Sequence, residues 1–305
     1  MPYTPVCINS HKTGRLRENA EKAWDMLRHC TLCPRACGAD RTAGKTGFCR
    51  TGEAAVVYSF DAHFGEEAPL SGYNGSGTIF FSHCNLLCNF CQNYDISHKG
   101  AGQEVSCDQL AWMMLELQRQ GCHNINLVTP SHVVAQILFA LDLAVSKGLT
   151  LPVIYNTGGY DSVDTLKLLD GAIDIYMPDV KFFHAHVARL AQVPEDYPEI
   201  VKKAVTEMYR QAGDLEMDGE GLAKKGLLVR HLVLPGDLAG TGDVMNFLAS
   251  QISPDTYVNI MSQYRPCGTA HKVPALARPV TREAYGKAVD AALKNGITRI
   301  DRKTI

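Results

Sequence analysis

The chain has 305 residues, of which 46% are hydrophobic, so it is long enough to bury a large apolar core. Its formal net charge is −2 without any block of like charges, which argues against nucleic acid or a membrane surface as a partner. The longest apolar segment, residues 133–145, is interrupted by Gln136 and Asp142 and is too short to span a bilayer.

The first residues carry neither a basic stretch nor an apolar stretch of the kind found in signal peptides, which predicts a cytoplasmic protein. The chain has eleven cysteines. In a reducing compartment so many cysteines indicate metal ligation rather than disulfide bonds.

Residues 1–55 form a cysteine-rich amino-terminal segment with the pattern C-x2-C-x3-C-x11-C, made by Cys30, Cys33, Cys37 and Cys49. Four thiols in so short a stretch, with glycines between them that permit tight turns, predict a four-thiolate metal site. Zinc and an iron–sulfur cluster both accept four thiolates, so the pattern leaves the metal open.

A second group of cysteines follows the apolar run 77–82, which predicts a buried strand. Cys84, Cys88 and Cys91 have the spacing C-x3-C-x2-C. Three thiolates can hold three irons of a cubane cluster, and without a nearby fourth cysteine the last iron is left for another molecule. A partial zinc site or three buried thiols are the alternatives, but only Cys88 and Cys91 have the usual zinc-knuckle spacing.

Residues 75–93, GSGTIFFSHCNLLCNFCQN, contain what looks like the signature of the radical S-adenosylmethionine (SAM) enzymes and resemble the pyruvate formate-lyase activating enzyme-like subfamily. The resemblance implies that the three cysteines bind a [4Fe–4S] cluster and that SAM chelates the fourth iron. Reductive cleavage then gives methionine and a 5′-deoxyadenosyl radical, which abstracts hydrogen from a substrate. Phe90 matches the aromatic residue that members place against the adenine, and simple packing is its alternative role.

After the cysteine loop, short β-rich runs alternate with amphipathic helical stretches. Ser106 and Gln109 predict a capping box at the first helix. The predicted helices are 108–120, 131–147, 162–169, 195–211 and 243–251, and the predicted strands are 125–128, 152–155, 173–177, 227–234 and 257–261.

Repeated βα units imply a parallel sheet with right-handed crossovers. We therefore predict an α/β fold in which residues 56–265 form the partial (β/α)6 TIM-type barrel that the resemblance also implies. Residues 266–305 are predicted to be a helical extension packing on that barrel. The Gly-rich, charged segment 213–225 is predicted to be a mobile loop.

Functional side chains of parallel barrels collect where the strands end. Thr129 follows the second strand and is assigned a contact to SAM, although Ser131 beside it favours a helix start. Asn156 and Thr157 follow the third strand and resemble the Asp-Thr-Asn-Gly segment of glycyl-radical activating enzymes, where polar groups face SAM and a bound monovalent cation. The resemblance thus implies that both residues contact SAM. Asn156 replaces a carboxylate there, so a cation site is weakened or lost; a plain turn is the alternative.

Asp179 and Lys181 follow the fourth strand and resemble the family's Asp-x-Lys motif. The resemblance implies that the lysine approaches the SAM carboxylate and that the aspartate supports the polar site. Alternation places both on one face of the chain, and a surface ion pair is the alternative. On the fifth strand Arg230 and His231 occupy opposite faces. His231 is assigned to the SAM side, with a satisfied core histidine as the alternative.

The resemblance therefore implies a radical SAM oxidoreductase that abstracts hydrogen from a protein or peptide, with a glycyl-radical enzyme as the first candidate. The implied electron donor is of the flavodoxin or ferredoxin type. Two alternatives remain open. One is a radical SAM enzyme acting on an unrelated small molecule or peptide. The other is a non-catalytic iron–sulfur electron carrier whose fourth ligand is Cys107 or Cys122.

Overall fold

The structure, a computed structural model, describes residues 3–301. Its strands are β1 (Ala55–His63), β2 (Ser76–Phe81), β3 (Gln103–Val105), β4 (Ile125–Val128), β5 (Val153–Thr157), β6 (Ile175–Pro178), β7 (Glu216–Met217), β8 (Ala223–Leu232) and β9 (Tyr257–Met261). Its α-helices are α1 (Val6–Lys12), α2 (Arg15–Asp25), α3 (Ala68–Ser71), α4 (Tyr94–Ser97), α5 (Cys107–Arg119), α6 (Val134–Ser146), α7 (Val163–Leu168), α8 (Ala185–Ala191), α9 (Tyr197–Ala212), α10 (Thr241–Phe247) and α11 (Arg282–Lys294).

The strands form one mixed sheet of nine, in the order β3-β1-β2-β4-β5-β6-β8-β7, with β9 paired to β8. Neighbours from β2 through β4, β5, β6 and β8 to β9 pair in parallel. Strands β1, β3 and β7 pair antiparallel. Helices connect the successive parallel strands, which confirms the predicted α/β class. Closure into a partial barrel stays a prediction.

The helix α5 illustrates how local sequence sets an element. The Ser106 hydroxyl accepts a hydrogen bond from the Gln109 backbone N–H at 3.2 Å, and the Gln109 side chain accepts one from the Ser106 N–H at 2.8 Å. These two bonds form the predicted capping box. Leu110, Met114 and Leu117 lie one helical turn apart and are buried against the sheet.

Two segments differ from the sequence expectation. Residues 213–225 are not a mobile loop, because β7 pairs with β8 and the Asp218 carboxylate accepts hydrogen bonds from the N–H groups of Glu220 and Leu222. That side-chain turn closes a hairpin which apolar periodicity does not reveal. The seven-residue helix α8 was not predicted either, since its buried stripe is too short to stand out.

The amino-terminal segment shares the core of the sheet. Leu16, Ala20 and Leu27 are buried in the same apolar cluster as the strands, and α2 packs against α6. At the other end of the chain, α11 packs on α10, and Ile300 forms a parallel bridge to Val258 of β9. The apolar core is therefore continuous across the predicted segment boundaries. No helix within residues 3–301 combines the length and apolar character needed to cross a bilayer.

Gly77 of β2 is expected to tolerate no side chain. A Cβ there would lie 2.6 Å from the Asn124 carbonyl oxygen and 3.1 Å from the Cβ atoms of Leu117 and Cys122. Because backbone cannot move aside cheaply, Gly77→Ala should lower the free energy of unfolding by about 1–3 kcal/mol in urea denaturation. Gly242→Ala is the matched control, since a Cβ at Gly242 meets nothing within 4 Å. Equal stability of the two variants would contradict this packing argument.

Candidate active site

The cysteine loop leaves the carboxyl end of β2 and carries Cys84, Cys88 and Cys91. His83 and Leu87 in this loop have φ angles of 67° and 57°, a left-handed backbone conformation that bulky side chains rarely adopt. Such a conformation persists only where the surroundings hold it, and it is common at functional sites.

Hydrogen bonds from three directions hold the loop. The Arg35 Nε donates to the Asn85 carbonyl at 2.9 Å, and the Asn85 side-chain amide donates to the Tyr160 carbonyl at 2.7 Å. The Asn89 backbone N–H donates to the Ala191 carbonyl at 3.0 Å. The loop is therefore fixed by the amino-terminal segment, by the turn after β5 and by α8.

In the loop Cys88 is buried, whereas Cys84 and Cys91 are half-buried and receive hydrogen bonds. The Leu86 N–H donates to Cys84 Sγ at 3.3 Å, and the Ser97 hydroxyl donates to Cys91 Sγ at 3.2 Å. Burial raises the pKa of Cys88, which is 7% exposed, and Lys181 opposes that rise only in part. A cationic metal centre is the kind of group that would favour these thiolates.

Within residues 3–301, no group of three or more His, Cys, Asp or Glu side chains is arranged to hold a metal ion. That arrangement describes ligands converging on one ion. In a cubane cluster the protein thiolates bind different irons, so a cluster does not require such convergence.

The cysteine loop borders two adjoining cavities of about 370 and 140 Å³. Both lie at the carboxyl ends of the parallel strands. The residues that line both are Phe80, Cys88, Cys91, Asn93, Val128, Asn156, Asp179, Lys181 and Arg230. Three sequence-predicted site residues, Asn156, Asp179 and Lys181, thus line the same cavities as two of the cysteines.

Asp179 pairs with two cationic side chains that line the cavities. Its carboxylate accepts from Lys181 Nζ at 2.7 Å and from Arg230 Nε at 2.7 Å. Burial acts to raise the pKa of Asp179, but Arg230 and Lys181 outweigh it and hold the pKa at about 2. Arg230 Nη2 also donates to Asn156 Oδ1 at 2.8 Å. The network therefore keeps both cations charged beside the cavity.

Glu66 is a cavity residue that no sequence motif indicated. It follows β1, is 8% exposed, and has its Oε2 3.7 Å from Arg230 Nη1. Burial raises the pKa of Glu66 to about 7, and Arg230 acts against this rise. In the sequence Glu66 is marked only as one of two consecutive glutamates after a strand. Such pairs are too common to indicate a functional site.

Phe90 and Thr129 both face the cavities. Phe90 is 4% exposed, lines the larger cavity and packs edge-on against Tyr264 with ring centroids 5.8 Å apart. Thr129 lines the smaller cavity with a φ of 62°, an outlier for a β-branched residue. Its position at the end of β4 is therefore held by its surroundings, including the hydrogen bond from its N–H to the Asn156 carbonyl.

Thr157 also borders the smaller cavity, but its hydroxyl is engaged behind the site. It donates to Asp161 at 2.6 Å and lies 2.9 Å from the Ser131 hydroxyl. Thr157 therefore supports the wall of the site through these two partners.

The position of His231 corrects the sequence expectation. Its Nδ1 lies 2.7 Å from the Val180 carbonyl and its Nε2 lies 3.0 Å from the Thr241 hydroxyl. It lines neither cavity, whereas Arg230 lines both. Sequence alternation established that the two residues face opposite ways, but not which of them faces the site.

The amino-terminal cysteines lie next to the cysteine loop. Cys30, Cys33 and Cys49 are buried and Cys37 is exposed. Arg35, two residues after Cys33, donates to the Asn85 and Leu86 carbonyls of the loop at 2.9 and 3.4 Å.

Comparison with known proteins leaves the family open. No protein-family profile matches the sequence. An uncharacterized protein of Methanocaldococcus jannaschii is 29% identical over 298 residues, which are 95% of this chain and 81% of that protein. The solved structure of the cobalamin-dependent SAM radical enzyme OxsB with aqua-cobalamin bound aligns with a TM-score of 0.42 and 12% identity. The alignment covers 71% of this chain and 31% of OxsB, and at this level it does not establish a shared fold or function.

Glu66 should make stability depend on pH. Its pKa is raised to about 7 in the folded protein from an ordinary 4.5, so its contribution to stability is lost as the pH rises between these values. A glutamine side chain at this position would not titrate, so the stability of Glu66→Gln relative to the native protein should increase by about 1–3 kcal/mol from pH 5 to pH 8.

Urea denaturation at the two pH values measures this difference. Glu104→Gln, on the exposed edge strand β3, is the surface control. A Glu66→Gln difference that stays constant with pH would contradict the assignment of the raised pKa to this carboxyl group.

Proposed function

We propose that the chain is a radical SAM enzyme in which Cys84, Cys88 and Cys91 hold a [4Fe–4S] cluster and SAM binds in the adjoining cavities. When bound, this pair supplies a 5′-deoxyadenosyl radical by one-electron cleavage of SAM. The observation that carries the proposal is the C-x3-C-x2-C loop opening onto cavities that the Asp179–Lys181–Arg230 network also lines.

The wall residues have distinct proposed roles. Lys181 offers a buried ammonium to the SAM carboxylate, and Asp179 orients it through the 2.7 Å contact. Asn156, held by Arg230, presents its amide beside them. Phe90 forms an apolar wall for the adenine, while Thr129 and Thr157 border the smaller cavity.

The placement of Cys107 and Cys122 argues against either of them as the fourth ligand of a purely electron-carrying cluster. Cys122 packs beside Gly77 at the start of β2, whereas the cysteine loop follows the end of that strand. The intervening residues 77–81 span about 15 Å of extended chain. Cys107 begins α5, where Asp108, Arg17 and Glu53 are its charged neighbours. Neither thiol is placed to complete the cluster.

The proposed substrate is a protein or peptide, and a glycyl-radical enzyme is the first candidate, as in the pyruvate formate-lyase activating enzyme-like subfamily. The larger cavity supports a separate substrate region, because His63, Glu66 and Gln263 line it away from the smaller one. A flavodoxin-type or ferredoxin-type donor would supply the electron, and we place the reaction in the cytoplasm.

Reconstituted anaerobically and reduced with dithionite, the protein should convert SAM into 5′-deoxyadenosine and methionine, measured by liquid chromatography. Replacing all three loop cysteines with alanine should abolish both products, because no iron would be bound there. Cys107→Ala is the control and should retain activity. A native protein that holds a loop cluster yet forms no 5′-deoxyadenosine would refute the proposal.

Lys181→Met should weaken SAM binding by about ten- to a hundredfold, the effect of losing a charge-assisted hydrogen bond. Equilibrium binding to the reconstituted protein measures this change. Lys167→Met, which removes an exposed ammonium on α7, is the matched control. Unchanged affinity in Lys181→Met would remove this lysine from the SAM site.

A further inference from the structure

We propose that Cys30, Cys33, Cys37 and Cys49 ligate a second iron–sulfur cluster, which docks on the cysteine loop and is the entry point for electrons. The proposed binding site does not depend on the function proposed above. Its role as the entry point for electrons does depend on that function.

Backbone turns gather the four thiols. The Cys30 N–H donates to the Ala39 carbonyl at 3.0 Å, and the Gly38 N–H donates back to the Cys30 carbonyl at 3.1 Å. At Gly47 a Cβ would lie 2.2 Å from Cys37 Sγ, so a residue with a side chain would displace this thiol. The backbone is therefore shaped around the cysteines.

Further turns lie at the other two cysteines. The Ala36 N–H donates to the Cys33 carbonyl at 3.0 Å, and the Arg50 N–H donates to the Gly47 carbonyl at 3.0 Å in a turn that contains Cys49. Because Gly47 lies against Cys37, these turns hold all four cysteines in one folded segment.

Arg41 supplies an independent sign of an anionic ligand. It is 1% exposed, and its Nη1 lies 2.7 Å from the His132 carbonyl and 3.9 Å from Cys30 Sγ. Its Nε donates to the Gly52 carbonyl at 2.8 Å. In the part of the chain that the structure describes, the buried Nη2 has no hydrogen-bond partner.

A buried guanidinium with an unpaired N–H is costly unless a negative group completes its environment. A cluster with four thiolate ligands carries net negative charge and has sulfur atoms that accept such hydrogen bonds. An iron–sulfur cluster at this site would therefore supply the negative counter-charge that the Arg41 guanidinium lacks.

Contacts between the two cysteine groups favour an electron-transfer cluster over a structural zinc ion. Arg35, two residues after Cys33, donates from its Nε to the Asn85 carbonyl at 2.9 Å, and Asn85 is the chain neighbour of Cys84. One hydrogen bond and two short stretches of backbone thus connect a ligand of one site to a ligand of the other.

The proposed step moves one electron and breaks no bond. A reduced flavodoxin-type or ferredoxin-type protein gives an electron to the second cluster, which is thereby reduced. The second cluster then passes that electron to the loop cluster and returns to its oxidised form. Cys37 is exposed, so the site reaches solvent, and the same segment exposes Lys45 and Arg50, basic side chains that would attract an acidic donor.

The first test uses the variant with Cys84, Cys88 and Cys91 all changed to alanine, reconstituted anaerobically with iron and sulfide. We expect about four irons per chain and an electron paramagnetic resonance signal on reduction that SAM does not alter. Zinc in place of iron, or no metal, would overturn the second cluster. Since this measurement needs no SAM cleavage, its failure is distinct from failure of the proposed function.

The second test changes Cys30, Cys33, Cys37 and Cys49 to alanine and follows the SAM-responsive signal of the loop cluster. Its reduction by reduced flavodoxin should slow at least about tenfold relative to the native protein, whereas dithionite should still reduce it. Cys107→Ala is the control. Unchanged reduction by flavodoxin would overturn the electron-entry role. Should the fourfold variant fail to fold, Cys37→Ser, at an exposed position, replaces it and must show the same slowing.

Discussion

The contact of Asp179 with both Lys181 and Arg230 is the interaction on which the candidate site depends. A mostly buried carboxylate between two mostly buried cations is stable only because all three are present, since removal of one partner leaves an uncompensated charge. The contact also ties the end of β6 to β8, where Asp179 and Arg230 form a parallel bridge. Through Asn156 it reaches β5 as well. The contacts of Asp179 therefore determine both the charge of the cavity and the alignment of the three strand ends.

The cysteine loop faces this network and is itself held from outside the sheet. Arg35 donates to the loop backbone and stacks over the ring of Phe48 at 3.5 Å. The amino-terminal segment is thus part of the wall of the site, and its helices bury side chains in the common core. A short segment with few apolar residues gains order in this way, because it shares a core that it could not form alone.

The sequence predicted helices and strands well wherever a single local pattern, such as apolar periodicity or a capping box, determines them. The strand bounds 125–128 and 257–261 agree with β4 and β9, and the capping box at Ser106 marks the start of α5. The hairpin of β7 with β8 escaped prediction because a side-chain turn at Asp218, rather than apolar periodicity, forms it. Glu66 escaped because its role comes from burial beside Arg230, which lies far away in the sequence.

By itself the sequence determined the spacing of both cysteine groups, the alternation of strands and helices, and the shared face of Asp179 and Lys181. Covalent spacing and local periodicity suffice for each of these. Only the tertiary structure decided that Arg230 rather than His231 faces the cavity, that Glu66 joins it, and that Arg35 binds the cysteine loop. Those outcomes depend on how distant segments pack, because burial and charge pairing act between residues that no local pattern connects.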